Sequence, residues 1–295
     1  MGILYKVDYL RNTACRHISY SIMVRLVKGI LNSPPGRRNA LAMAQPLLSL
    51  LDKEKIEHDP AIIATRMVML RTLFPWAYCR FARHPEELDH WVRVSGLEQF
   101  NSLLATERGV LLAVNHHGPA HMVDFYLAAQ GYKVYALQAS NHVHRKHMRY
   151  AVPEISARLN KIFTRQDLSP GLMQTTIKVR ELLRQGEIVI AALDGGQGGS
   201  TFRLKLMGSD IGFRYAMPLI ASLADAVIIP VFSTLKLDGH IEIRFENPFP
   251  GKQPDQSPQD YAMDIMSIYV AMLQNYMEKE PGNIKTRMLS RNDAR

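Results

Sequence analysis

The spacing of apolar and polar positions changes along this chain. Up to about residue 90 it is helical. Ile22, Met23, Leu26, Val27, Ile30 and Leu31 alternate with the basic Arg16, Arg25 and Lys28, as in an amphipathic helix. Two roles fit such a helix. It lies on a membrane surface, or it packs its apolar side on the domain, which is the expectation adopted. Pro34-Pro35-Gly36 reads as a break. Ala40–Leu51 reads as a second helix, kinked by Pro46 or starting there. Pro60–Arg83 is a third, with Ile63, Met67, Leu70, Leu73 and Phe74 near helical spacing. Pro75 kinks or divides it, and Trp76, Tyr78 and Phe81 read as core.

From Trp91 onward short apolar runs alternate with helical patterns. The expected strands are Gly109–Val114, Lys133–Gln138, Ile188–Leu193, Ala226–Phe232 and His240–Phe245. The expected helices are Pro119–Gln130, His144–Leu159, Gly171–Gln185, Phe213–Ala224 and Gln259–Tyr276. This alternation predicts an α/β fold, a mixed central sheet flanked by helices. Residues 1–90 read as a helical N-terminal extension and residues 91–295 as the α/β domain. Asn247–Pro258 reads as an exposed loop before the last helix, and Lys285–Arg295 as a polar tail.

Composition narrows the class. Apolar residues make up 47% of 295, enough for a full core. Lys and Arg number 36 against 27 Asp and Glu, a net charge of +9. That suits an acidic partner such as a carrier protein, a nucleotide-bearing cofactor or anionic lipid. Two cysteines, Cys15 and Cys79, make neither a metal spacing nor a disulfide framework and imply a reducing compartment. No run reaches the ~20 apolar residues of a membrane span. No basic run interleaved with aromatics marks a nucleic-acid interface.

The chemistry concentrates at Gly109–Gln130, GVLLAVNHHGPAHMVDFYLAAQ. Strand, sharp turn and helix place His116 and His117 at the carboxyl end of a strand beside a helix start near Pro119. Histidine serves as general base near neutral pH. The spacing allows a relay from His116 through His121 to Asp124. The same three side chains are the candidates for a metal site, but the spacings of familiar zinc helices are missing and no metal is expected. His142, His144 and His147, interleaved with Arg145, Lys146 and Arg149, read as a basic anion-binding surface or as a solvated face. A second signal is Leu193-Asp194-Gly195-Gly196-Gln197-Gly198-Gly199 after a strand, where glycines permit close approach of a ligand. Arg203, Lys205 and Arg214 follow and suit a phosphate or carboxylate. No Gly-x-Ser-x-Gly elbow, phosphate-binding loop or dinucleotide fingerprint occurs.

The order of blocks resembles the lysophospholipid acyltransferase superfamily, most closely its bacterial lipid A late acyltransferase branch. The resemblance runs from Trp91 to Phe249. It rests on Val94-Ser95-Gly96-Leu97-Glu98, Arg108-Gly109-Val110-Leu111-Leu112, the histidine segment, Leu193-Asp194, Leu206-Met207-Gly208 with the helix near Ala216–Leu223, and Pro230-Val231-Phe232. In the family's His-x4-Asp/Glu motif His116 takes the histidine position, and His121 stands where the family has an acid. Lys236 is the nearest cation where the family has an arginine.

The resemblance implies an acyltransferase drawing on an acyl carrier protein or coenzyme A thioester. The acceptor is a hydroxyl or amine on a lipid or small molecule, and no bound cofactor is implied. The catalytic candidates are His116, His121 and Asp124. The substrate-binding candidates are His117, Asp194, Gly195, Gly196, Gln197, Arg203, Lys205 and Arg214. The expected place is the cytoplasm, with peripheral contact at the cytoplasmic face of the inner membrane. Two other readings stay open here: an inactive homologue that binds acyl carriers or lipid, and a metal-dependent hydrolase using His116, His121 and Asp124.

Overall fold

The computed structural model describes residues 14–15, 17–51, 58–139, 159–164, 169–194 and 201–285. Three helices come first: α1 (Tyr20–Asn32), α2 (Pro34–Leu48) and α3 (Pro60–Phe81). The Pro34-Pro35-Gly36 segment starts a helix rather than breaking one. Proline suits the first helical turn, and the Ser33 hydroxyl accepts from the Gly36 amide at 3.2 Å. Pro60 begins α3 in the same way, with Asp59 capping Ala61 N at 2.8 Å. Pro46 and Pro75 both lie inside their helices. The Pro75 ring does not divide α3, because flanking residues on both sides are buried and held by packing.

A single turn, α4 (Leu88–Trp91), leads into the sheet. The remaining elements are β1 (Val92–Ser95), α5 (Leu97–Leu104), β2 (Val110–Val114), α6 (His121–Ala129), β3 (Val134–Ala139), β4 (Leu159–Thr164), α7 (Ser169–Arg184), β5 (Ile188–Ala192), β6 (Thr201–Leu206), β7 (Ser209–Arg214), α8 (Ala216–Leu223), β8 (Val227–Leu235), β9 (Ile241–Phe245) and α9 (Pro258–Lys279). Seven strands form one sheet in the order β1-β9-β8-β2-β5-β3-β4. The run from β8 to β4 is parallel; β9 is antiparallel to β8, and β1 is parallel to β9. The mixed sheet with helical cover agrees with the expected fold class.

β2 lies in the middle, between β8 and β5, and every residue in it is buried. That is why it reads as an unbroken apolar run rather than an alternating one. β8 is buried along its whole length. Its first half pairs with β2 as far as Pro230, and its second half pairs with β9 from Val231. Proline has no amide hydrogen, so Pro230 falls where the strand exchanges one partner for the other.

Three expectations at the element level change. The helix predicted from Phe213 begins at Ala216, because Phe213 and Arg214 end β7. The β6–β7 hairpin itself was not foreseen; it turns at Met207 and Gly208, both at positive φ, the conformation a two-residue hairpin turn requires. Leu159, expected to end a helix, begins β4; residues 144–158 of that helix lie outside the described residues. One buried apolar cluster runs from Cys15 to Ile284 and takes in α1–α3, the sheet and α9. No helix among the described residues is long and apolar enough to cross a membrane.

Candidate active site

The site is built where β2 and β5 end. Val114 pairs in register with Ala192, and the Leu193 amide donates to the Val114 carbonyl at 2.9 Å. Parallel neighbours lie about 4.8 Å apart. Two residues beyond each paired position, His116 and Asp194 therefore face each other. The two Asp194 carboxylate oxygens are both used. One accepts from the His116 amide at 2.7 Å, and the other accepts from His116 Nδ1, also at 2.7 Å. A carboxylate only accepts, so the proton between them sits on Nδ1 and Nε2 carries the lone pair. The Asp194 side chain is 2% exposed and that of His116 is 26% exposed. The carboxylate is shielded while the imidazole reaches the surface.

The turn after His116 is fixed from three directions. Asn115 Oδ1 accepts from the His117 amide at 2.9 Å. The Gly118 amide donates to the Asn283 carbonyl at 2.9 Å. Gly118 has φ +63°, and a Cβ there would stand 2.0 Å from the Ser233 carbonyl oxygen, so only glycine fits. Tyr269 of α9 donates its hydroxyl to the Val114 carbonyl at 2.7 Å and anchors the strand end. Burial drives the Tyr269 phenol well above its ordinary pKa, with the Asp194 charge adding to it, so it stays a neutral donor. α6 begins at His121, two residues later than the sequence suggests, with Met122 N donating to Pro119 O at 2.8 Å.

Residues 51–278 match the family described as bacterial lipid A biosynthesis acyltransferase. The chain belongs to this family. No curated protein matches it. Acyl transfer is the chemistry of the family.

Against the family motif the arrangement differs in one respect. His121 holds the acid position, and its ring stacks on Phe74 of α3 at 6.4 Å between centroids and 18° between planes. Asp124 is buried, and its charge helps burial to raise the pKa of Tyr78 on α3. Both thus turn towards α3. The Nδ1 that the sequence spacing offered to His121 belongs to Asp194 instead, because strand register places Asp194 opposite His116.

His117, expected among substrate-binding residues, is fully buried, with Nε2 donating to the Glu280 carbonyl at 3.2 Å. Desolvation lowers its pKa to about 4, so it is a neutral structural side chain in this conformation. Lys236, near the family's arginine position, is committed to Glu280 at 2.7 Å and Glu242 at 3.1 Å. Glu280 also pairs with Arg66 of α3.

Arg203 and Lys205 are exposed on one face of the β6–β7 hairpin, Arg203 donating to the Asp210 carbonyl at 3.0 Å. Arg214, paired with Thr201, stands at the hairpin end where the chain re-enters from the glycine loop. Gly195, Gly196 and Gln197 lie outside the described residues, as do His142, His144 and His147. Among the described residues no three His, Cys, Asp or Glu side chains are arranged to hold a metal ion. Sequence reasoning missed Asn115, Tyr269 and Asn283. Only Asn115, adjacent to the histidines, carried a local signal, that of an Asx turn.

Proposed function

We propose that this protein moves an acyl group from a thioester, on a carrier protein or coenzyme A, to a hydroxyl or amine of a lipid or small-molecule acceptor. The observation that carries the reading is the two-point hold of Asp194 on His116. His116 Nε2 takes the acceptor's proton as its oxygen or nitrogen attacks the thioester carbonyl carbon. Asp194 stabilises the imidazolium that results. The tetrahedral intermediate then collapses, the carbon–sulfur bond breaks, and the thiolate leaves with the proton returned from His116. Asp194 is thereby read as the positioning acid, and His121 and Asp124 as supports of the helix start. A carboxylate supplies the negative charge that a neutral His121 lacks.

Oxyanion stabilisation falls to amides beyond Pro119 or to the Gly195–Gly199 loop. The amides of His116, His117 and Gly118 already donate elsewhere, and Pro119 has none. The net positive charge favours an acidic carrier or the phosphates of coenzyme A.

The test is acceptor-dependent thiol release from a panel of acyl-carrier and acyl-coenzyme A thioesters, with product mass spectrometry. His116→Ala is expected to abolish release. Asp194→Asn, which keeps the shape but not the charge, is expected to lower it by about 10²–10⁴-fold. A folded Asp194→Asn protein with the wild-type rate would overturn the assignment. Thioester binding without release from any donor would point to a binding-only homologue. Ester products alone, with amines untouched, would remove the amine acceptor.

A further inference from the structure

α3 passes along the side of the histidine turn, and its ring contacts with α6 fix how. Phe74 stacks on His121 at 6.4 Å, and Tyr78 lies 5.4 Å from Phe125. From one contact to the next the chain advances four residues on both helices, so α3 and α6 run the same way here. One turn earlier on α3, Leu70 and Arg71 therefore fall level with the turn that carries His116, His117 and Gly118. The next turn back agrees. Arg66 pairs with Glu280, whose carbonyl accepts from His117 Nε2, and a Cβ on Gly282 would stand 2.6 Å from that of Arg66. At the α-helical repeat Met67, Arg71, Phe74 and Tyr78 fall within an arc of about 60°. Met67 and Tyr78 are buried, Phe74 is partly buried and Arg71 is exposed. The guanidinium is thus carried on the outer rim of the stripe that faces α6, beside the edge where the His116 imidazole reaches the surface.

The carboxylates of the turn and its clasp are committed or sealed: Asp194 to His116, Glu280 to Arg66 and Lys236, and Asp124 by burial. His121, partly exposed, stands where the family motif has an acid, so the negative charge of that position is missing from the rim. A guanidinium beside two imidazoles favours an anion, and arginine offers a carboxylate or phosphate two parallel donors. An anion that meets Arg71 lies within a side chain's reach of the bond being made at His116. The phosphates of a carrier-protein or coenzyme A thioester lie a whole pantetheine arm away from its carbonyl carbon. The group that fits Arg71 therefore belongs to the acceptor.

We infer that Arg71 is a specificity-determining residue that reads a carboxylate or phosphate on the acyl acceptor, close to the hydroxyl or amine that attacks. The inference rests on the acyl-transfer reading of His116 and deepens it, because it names the class of acceptor: one with an anionic group next to its nucleophile.

The experiment is acceptor-dependent thiol release by the full chain with matched acceptors, each pair sharing its hydroxyl: hydroxybutyrate against hydroxybutyramide, and glycerol phosphate against glycerol. Wild type is expected to show a kcat/KM at least about tenfold higher for the anionic member of a pair. The pair that responds tells carboxylate from phosphate. Arg71→Gln is expected to cut that preference to about twofold or less, through KM rather than kcat. Arg71→Lys, which keeps the charge and loses the fork, should retain part of it. His121→Glu, which returns an acid to the rim, should lower it as well. Arg71 is exposed, so circular dichroism of its variants should match wild type. A wild type with no anionic preference, or Arg71→Gln with the preference intact, would overturn the inference. If no acceptor gives release, acyl transfer at this site fails, and ligand-observed NMR of the same compounds with wild type and Arg71→Gln decides the inference separately. Binding of an anionic member that is lost in Arg71→Gln upholds the anion site; equal binding by both proteins, or none, removes it.

Discussion

His117 and His116 are adjacent and chemically opposite. His116 faces outward with its tautomer set by Asp194, whereas His117 is sealed behind it. A buried neutral histidine has a consequence for stability. Its folded pKa of about 4 lies below the ordinary 6.5, so the unfolded chain takes up the proton first as pH falls. This contribution is fully present above pH 6.5 and is lost as pH falls towards 4. Between pH 7.5 and pH 5 the loss from this one group is about 2 kcal/mol. Urea midpoints at the two pH values should differ more for wild type than for His117→Gln, whose amide can still reach the Glu280 carbonyl. Equal shifts in the two proteins would show that His117 is not the group responsible. At this scale His116 was legible, because strand, turn and helix can be read from neighbouring residues. The partner role of Asp194 was not. It depends on which strand lies beside β2 and in what register, and no local pattern encodes that.

At the scale of elements, the segment after α9 acts as a clasp on the histidine turn. Asn283 is fully buried. Its side chain accepts from the Leu235 amide at 2.9 Å and donates to the Leu235 carbonyl at 3.2 Å, while its own carbonyl takes the Gly118 amide. Asn283→Ala would leave two buried backbone groups without partners, a cost of roughly 2 kcal/mol. The expected result is a lower urea midpoint and, with His116 as the proposed base, slower thiol release, because the turn that holds His116 loses its support. Gly118→Ala forces a methyl against the Ser233 carbonyl and is expected to cost roughly 3 kcal/mol; an unchanged melting temperature would contradict the geometry. Strands β2, β3, β5, β8 and β9 were legible as apolar runs. β1 was not, being four residues at an edge. The β6–β7 hairpin was hidden by its charges: Arg203 and Lys205 drew attention as ligands, although they mark the outward face of an alternating strand.

At the scale of the whole molecule, the apolar cluster joins the first helices to the sheet without interruption. Glu280 ties α3 to the β8 end through Arg66 and Lys236. Unfolding in urea should therefore be one transition by both circular dichroism and tryptophan fluorescence, with Trp76 reporting from α3 and Trp91 from the junction with the sheet. A chain beginning at residue 91 should fail to give a soluble folded protein; two separated transitions would instead mark the helices as an independent unit. The active-site pair also has a temporal side. His116 and Asp194 are 78 residues apart in the chain, and they meet only through the pairing of β2 with β5. During synthesis the histidine is made well before its carboxylate, and its Nδ1 has no Asp194 partner until that sheet pairing forms. On the proposed mechanism a truncated or partly folded chain would leave thioesters intact, and recovery of thiol release on refolding would time the closing of the sheet rather than the formation of any single helix.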